Sequence, residues 1–341
     1  MFTSSGERTV TTPLRILFCG TPQFAVPSLK LLLQQPDFKI LAVYTQPDRP
    51  RGRGQEISPT PIKEGALAAN IPVHQPGKIR APEVEIELRA MAPDVIVIIA
   101  YGQIIPARLL NIPEYGWINL HASLLPKYRG AAPINWAIVN GETTTGITTM
   151  RIDAGMDTGE MLLQRELAIG ADEATPELAA RLAEAGAILM VETVRGIANG
   201  TLKGRAQNHA EATLAPILKR EDGLIDWELT AGQVYNRMRG FTPWPDAYTQ
   251  FRGGTCHLRG KPIRGNMNTV AASASLGSPE SLRVWEPGTI VDAGSGRLWV
   301  VCGQGTLLEL STVKLEGRKQ VSAAEFANGA RLQPGERFGK R

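Results

Sequence analysis

Four early segments are apolar almost without interruption: Leu14–Cys19, Ile40–Tyr44, Val95–Ala100 and Trp117–Leu120. A strand with one wet face alternates apolar and polar residues, whereas a run that is apolar at every position has to be covered on both faces. Between these runs lie patterns of helical period, such as Pro27–Gln35 and Glu83–Met91. Strands covered twice and separated by helices constrain this part of the chain to an α/β sheet with helices on both sides. Antiparallel strands are expected at Gly146–Ile152 and Met161–Leu167, followed by a long helix over Thr175–Asn199 that Gly200 stops.

The pattern breaks near Gly204–Pro216. Beyond it one helix stands out at Thr230–Arg239, with Thr230 as N-cap and Gly240 at its end. The rest is short β-type runs, including Leu298–Cys302 and Leu307–Val313, between Gly-rich turns, which suits a small open barrel or sandwich. Asn268–Pro279, rich in Ala and Ser, reads as a flexible loop. A chain of 341 residues is comfortable as two domains. The expected division is a disordered tail at 1–13, an α/β domain at 14–204, a linker at 205–216 and a β-rich domain at 217–331.

Hydrophobic residues are 43% and charged residues 21% of the chain, close to the globular average. The three cysteines, Cys19, Cys256 and Cys302, form no CxxC pair. A disulfide framework and a structural zinc are therefore not expected, and a reducing, cytoplasmic compartment fits. No apolar stretch is long enough to span a membrane. Met1–Pro13 lacks the apolar region of a signal peptide. Residues 1–205 carry 20 Lys/Arg against 20 Asp/Glu, and residues 206–341 carry 17 against 13. The whole positive excess thus falls in the second part, which suits contact with an anionic partner and is equally compatible with ordinary surface variation.

The turn after the first apolar run, Cys19-Gly20-Thr21-Pro22-Gln23-Phe24, has one glycine where a dinucleotide fold needs several, and no GxxxxGK[ST] occurs. Nicotinamide and nucleoside-triphosphate chemistry are disfavoured. The densest polar cluster follows the fourth run: Asn119, His121 and Ser123 within Ile118–Pro126. Residues two apart on a strand share a face, so Asn119 and His121 project together from the carboxyl end of a core strand, where open α/β sheets bind ligands. An amide donor beside an imidazole suits a carbonyl carbon turning tetrahedral. Two polar residues capping a strand would give the same spacing. A second cluster, Asp153-Ala154-Gly155-Met156-Asp157-Thr158-Gly159, offers acids that either orient an imidazole or bond their own turn. Spacing does not choose between these.

The Asn119-x-His121 pair, the Ser123–Pro126 run and the later Asp157 resemble the signature of the folate-dependent formyltransferases. Further motifs bring the chain closest to the methionyl-tRNA formyltransferase family. They are Arg15–Gly20 with Thr21-Pro22, Thr45–Pro50, Tyr101-Gly102, Lys127–Ile134 and Pro243-Trp244-Pro245. The resemblance runs from about Leu14 to Phe326 and implies a Rossmann-like formyltransferase domain followed by an OB-like barrel. It also implies transfer of a formyl group from 10-formyltetrahydrofolate to the methionyl amino group of initiator methionyl-tRNA, by a monomer that needs no metal.

By the same resemblance, Asn119 and His121 polarise the formyl oxygen and Asp157 pairs with His121. Ser123, Leu124, Leu125 and Pro126 form part of the folate site, with Tyr101 and Gly102 walling the pterin. The loop after the second strand sets Arg49, Arg51 and Arg53 among prolines and glycines, which suits the single-stranded end of an RNA. A merely solvated loop is the other reading of that composition. Relatives often continue with lysines where this chain has Gln55-Glu56, so its grip on phosphate is expected to be either weaker or shared with Lys63. Arg237, Arg239, Lys261 and Arg264 are candidate RNA-backbone contacts in the second domain.

Overall fold

Val95–Ile99 (β6) is buried at every position, and it lies inside a seven-stranded sheet. Across that sheet the order is β10 (Met161–Ala168), β9 (Thr144–Arg151), β7 (Trp117–His121), β6, β1 (Leu14–Gly20), β2 (Phe38–Tyr44) and β5 (Val73–His74). β5, β2, β1, β6 and β7 are parallel, and the direction reverses at β9. The four apolar runs are the four adjacent strands β2, β1, β6 and β7, as burial on both faces requires.

The computed structural model describes residues 12–51, 56–263, 285–292, 296–333 and 335–339, which fall into two units. Unit 1 contains the described residues up to 133, with 144–168 and 179–216. Unit 2 contains 134–143, 169–178 and the described residues from 217 onward. The expected N-terminal tail, except its last two residues, and the Asn268–Pro279 loop lie outside the described residues.

Helices of the first half are α1 (Val26–Leu33), α2 (Pro61–Ala68), α3 (Pro82–Met91), α4 (Ala107–Leu110), α5 (Pro133–Val139) and α6 (Thr175–Ala198). In α2, Thr60 accepts a hydrogen bond from the Lys63 N–H and Pro61 fills a position whose N–H would be unpaired anyway. After α6 the chain reverses at Gly200, whose φ is +69°. The expected arginine loop is not free at its base: Arg49–Arg51 (β3) pairs antiparallel with Glu56–Ser58 (β4).

The expected linker is a second departure. Arg205 bridges Met161, and Leu214–Ala215 (β11) pairs in parallel with Arg129–Gly130 (β8), so 205–216 is built into unit 1. The composition changes there, yet short extended pairing satisfies the backbone without any apolar periodicity.

Unit 2 holds an antiparallel sheet ordered β12 (Tyr248–Phe251), β13 (Gly254–Pro262), β16 (Leu307–Leu315), β15 (Leu298–Val301), β14 (Ile290–Asp292), with β17 (Val321–Ser322) also on β16. Among the described residues β12 and β14 remain edges, making this a half-barrel. Helix α7 (Ala231–Gly240) begins as expected at Thr230, whose hydroxyl accepts from Gln233 N while Gln233 Oε1 accepts from Thr230 N. Helix α8 (Ala323–Ala330) covers the far end, where Phe326 packs with Phe251 and Phe338 at ring separations of 5.2 and 6.2 Å.

No helix among the described residues is long and apolar enough to cross a membrane. The three cysteines are buried free thiols, and burial pushes Cys256 and Cys302 up to about 12.

Candidate active site

Parallel pairing sets Cys19 of β1 beside Ile98 of β6, and Ile98 beside Asn119 of β7. The carboxyl ends of these three strands therefore lie side by side, and the segments leaving them (Thr21, Ala100–Gly102, Ala122–Gly130) meet at one edge. β7 is held on both sides, by β6 and by β9, which fixes the direction of its side chains. Leu120 turns into the core at 4% exposure, while Asn119 and His121 share the opposite face.

His121 is itself only 6% exposed. Its Nε2 lies 2.8 Å from the Tyr128 carbonyl oxygen, and its Nδ1 lies 3.6 Å from Asp157 Oδ2. The first is a hydrogen bond; the second is an ion-pair distance beyond direct hydrogen bonding. Oxygen acceptors thus face both ring nitrogens, and a ring bearing both N–H groups can serve both. Asn119 is half-buried, and among the described residues its carboxamide has no protein partner. It is the amide left open to a ligand.

The two acids of the glycine-rich loop have different fates. Asp153 Oδ1 accepts from Gly155 N at 3.0 Å and Thr158 Oγ1 at 2.7 Å, so it is a turn residue. Asp157 takes the left-handed conformation, φ +54°, which aims its carboxylate at His121 and at Gly130 N, 2.9 Å away. A non-glycine residue rarely adopts that backbone unless its surroundings hold it there.

Ser123 is fully buried and its Oγ donates to Lys127 O at 2.6 Å, so its hydroxyl tightens the turn and does not face outward. Leu125 is also buried; its N–H donates to Thr148 Oγ1 and its carbonyl accepts from Gln164 Nε2. Leu124 and Pro126 are half-buried, and the peptide bond between Leu125 and Pro126 is cis. Tyr101, expected as a wall of the pterin site, instead has its ring in the sheet core at 1% exposure. Only its carbonyl is used at this edge, accepting from Thr21 Oγ1 and Gln46 Nε2 at 3.1 and 3.0 Å. Gly102, with φ +86°, is the exposed member of the pair.

Residues 14–194 match the Formyl transferase family and residues 217–331 match its C-terminal domain family. A methionyl-tRNA formyltransferase of Geobacter sulfurreducens is 48% identical over 327 residues, covering 96% of this chain and 97% of that protein. Its counterpart in Acidobacterium capsulatum is also 48% identical, covering 96% and 100%. The chain belongs to the methionyl-tRNA formyltransferase family. Solved structures share the fold at lower identity. WlaRD, a sugar 3N-formyl transferase solved in the presence of dTDP and 5-N-formyl-THF, superposes with a TM-score of 0.63 at 16% identity over 90% of this chain and 99% of its own. An N-formyltransferase from Helicobacter canadensis, in complex with folinic acid and dTDP-3-aminofucose, gives 0.60 at 18% over 87% and 98%.

For a methionyl-tRNA formyltransferase family member, the basic residues expected at the RNA fall into three groups. Arg49 is exposed on the β3–β4 ribbon and Arg51 continues it, while Arg53 and Arg264 lie outside the described residues. Lys63 is committed: its Nζ pairs with Asp48 and donates to Gln75 Oε1, bracing the base of the ribbon. Lys63 also heads the causes that hold the Asp48 carboxyl below the usual carboxylate range. In unit 2, Arg239 does not suit a phosphate. It is 8% exposed, and its guanidinium donates to the Glu173 and Gly170 carbonyls and to Asn236. Arg237 donates to Asp222 O and sits 5.7 Å from the centre of the Phe241 ring. Lys261 is exposed and paired with Asp172 at 2.7 Å.

Two buried polar residues beside the site, Arg129 and Gln207, are not among the candidates from the sequence. Arg129 lies in the Lys127–Ile134 motif, which carries the resemblance without assigning it a role, and Gln207 falls in the expected linker.

Proposed function

We propose that this chain transfers the formyl group of 10-formyltetrahydrofolate to the free amino group of the methionyl moiety of initiator methionyl-tRNA, in the cytoplasm. The observation that carries the reading is the meeting of Asn119, His121 and Asp157 at one sheet edge, with the carboxylate 3.6 Å from the imidazole. The folate supplies the activated formyl carbon; the chain supplies geometry, donors and a proton path. Gly102, Leu124 and Pro126 are the candidates from the sequence that remain available to flank it.

When the amine nitrogen bonds to the formyl carbon, charge accumulates on the formyl oxygen. Asn119 Nδ2, which has no protein partner among the described residues, is the donor that this reading assigns to that charge. His121 can join only by exchanging the Tyr128 carbonyl for the substrate at Nε2, and Asp157 then stabilises the charge on the ring. As the carbon–N10 bond breaks, the proton lost by the amine balances the one gained by the leaving folate nitrogen. In this reading His121, once its Nε2 has exchanged the Tyr128 carbonyl for substrate, carries it. Among the basic residues, the ribbon of Arg49 and Arg51 is the element proposed to meet the acceptor end of the RNA, with Arg53, which lies outside the described residues, kept as a candidate from the sequence alone.

The test is a formylation assay with 10-formyltetrahydrofolate and charged initiator tRNA, beside charged elongator tRNA, amino sugar nucleotides, glycinamide ribonucleotide and water. Formyl-methionyl-tRNA should dominate; preferential release of free formate would favour a hydrolase. Replacing Arg49, Arg51 and Arg53 by alanine should lower kcat/KM for the RNA and flatten its salt dependence. The log–log slope should fall by about 0.7 for each phosphate that is no longer neutralised. An unchanged slope across a salt series would remove the ribbon from the RNA site.

A further inference from the structure

The loop that carries the site's backbone acceptor is laid on a segment from far along the chain. Thr213 Oγ1 accepts from Tyr128 N and Thr213 O accepts from Arg129 N, both at 2.8 Å. Ala215 O accepts from Ala131 N at 2.9 Å. Gly130 allows this closeness: its φ is +121°, and a Cβ there would stand 2.6 Å from Ala215 O. One side chain ties this assembly to the loop of Asp157. The carboxamide of Gln207, 6% exposed, accepts at Oε1 from Arg129 Nε and Nη2, at 3.0 and 2.6 Å. Its Nε2 donates to the carbonyls of Asp157 and Gly159, both at 2.8 Å.

The orientation of that amide is dictated. Guanidinium nitrogens only donate, so Oε1 has to face Arg129, and the two N–H groups are left for the two carbonyls. Arg129 is 7% exposed, and among the described residues the remaining polar contact of its guanidinium is His209 Nδ1 at 3.1 Å, with no carboxylate beside it. A buried charge held in that way depends on such contacts being complete. The Gln207 amide is used at both ends, and it holds the residue whose unusual backbone aims a carboxylate at His121.

We infer that Gln207, locked by Arg129, is a positioning residue that sets the Asp157–His121 distance and thereby the rate of the chemical step. This rests on the formyl-transfer reading for its kinetics but not for its geometry. Gln207→Glu keeps the acceptor for Arg129, so the fold is retained, while the donors to Asp157 O and Gly159 O are lost. Gln207→Met removes both ends at nearly constant volume.

Each variant should lower kcat about 10- to 100-fold, the penalty expected for small misplacement of a catalytic group. KM for folate and for methionyl-tRNA should stay within about 3-fold, because binding surfaces are untouched. In an Asp157→Asn background the same substitutions should cost less than about 3-fold, because residues acting as a unit are not additive. The amide resonance of Gly130, whose N–H donates to Asp157, should shift in both Gln207 variants without any substrate present. Equal losses in the two backgrounds, or an unmoved Gly130 amide, would overturn the inference. A wild-type chain that fails to formylate methionyl-tRNA would instead defeat the proposed function, and the Gly130 resonance would still judge the positioning.

Discussion

His121→Ala is expected to lower the single-turnover formylation rate by about 10²–10⁴-fold, the usual worth of a general acid–base group, with RNA affinity nearly unchanged. The ring is buried between the Tyr128 carbonyl and Asp157 at the carboxyl end of β7, and Arg49 is not among its hydrogen-bond or ion-pair partners. Its loss removes the proposed proton carrier and leaves the Asp157 carboxylate without its ring partner, while no candidate RNA contact among the described residues bonds to it. Rapid-quench single turnover under saturating folate, beside equilibrium binding of charged tRNA, separates the two. A rate within about 3-fold of wild type would mean that the ring is structural, since a lost acid–base group costs far more.

Asn119 gives the second large effect and a sharper discrimination. Its carboxamide is free of protein partners among the described residues, so removing it leaves no internal donor or acceptor orphaned. Asn119→Ala should therefore lower kcat by about 10²–10³, the cost of one preorganised donor at a developing oxyanion, with KM little changed. Asn119→Asp is nearly isosteric yet presents an acceptor to that same charge, and should be slower still. Steady-state kinetics on the pair decides the matter: an Asn119→Asp enzyme faster than Asn119→Ala would refute donation to an anionic oxygen.

Most of the architecture is legible in the sequence because it rests on burial. Four unbroken apolar runs are four adjacent strands, and Thr230 with Gln233 caps the expected helix α7. The shared face of Asn119 and His121 follows from the period of two along β7. What the sequence hides is whatever tertiary contact settles. By residue type and spacing Asp153 and Asp157 are alike; the resemblance alone points to Asp157, and the left-handed turn at 157 is the physical feature that separates the carboxylate near the imidazole from the turn residue. Tyr101 suggests a wall of the ligand site, but an aromatic ring at a strand end gains more by entering the core. Arg239 suggests a free cation, although the carbonyls of Gly170 and Glu173 claim it.

The β8–β11 pairing has a practical corollary. A fragment ending at residue 204 would keep every strand of the seven-stranded sheet, together with Asn119, His121 and Asp157. It would nonetheless surrender Gln207, Thr213 and Ala215, the scaffolding beneath the loop from Tyr128 to Ala131. The smallest piece able to carry the chemistry therefore extends past the point where the composition changes, and any dissection or domain graft has to bring residues 205–216 along with the sheet.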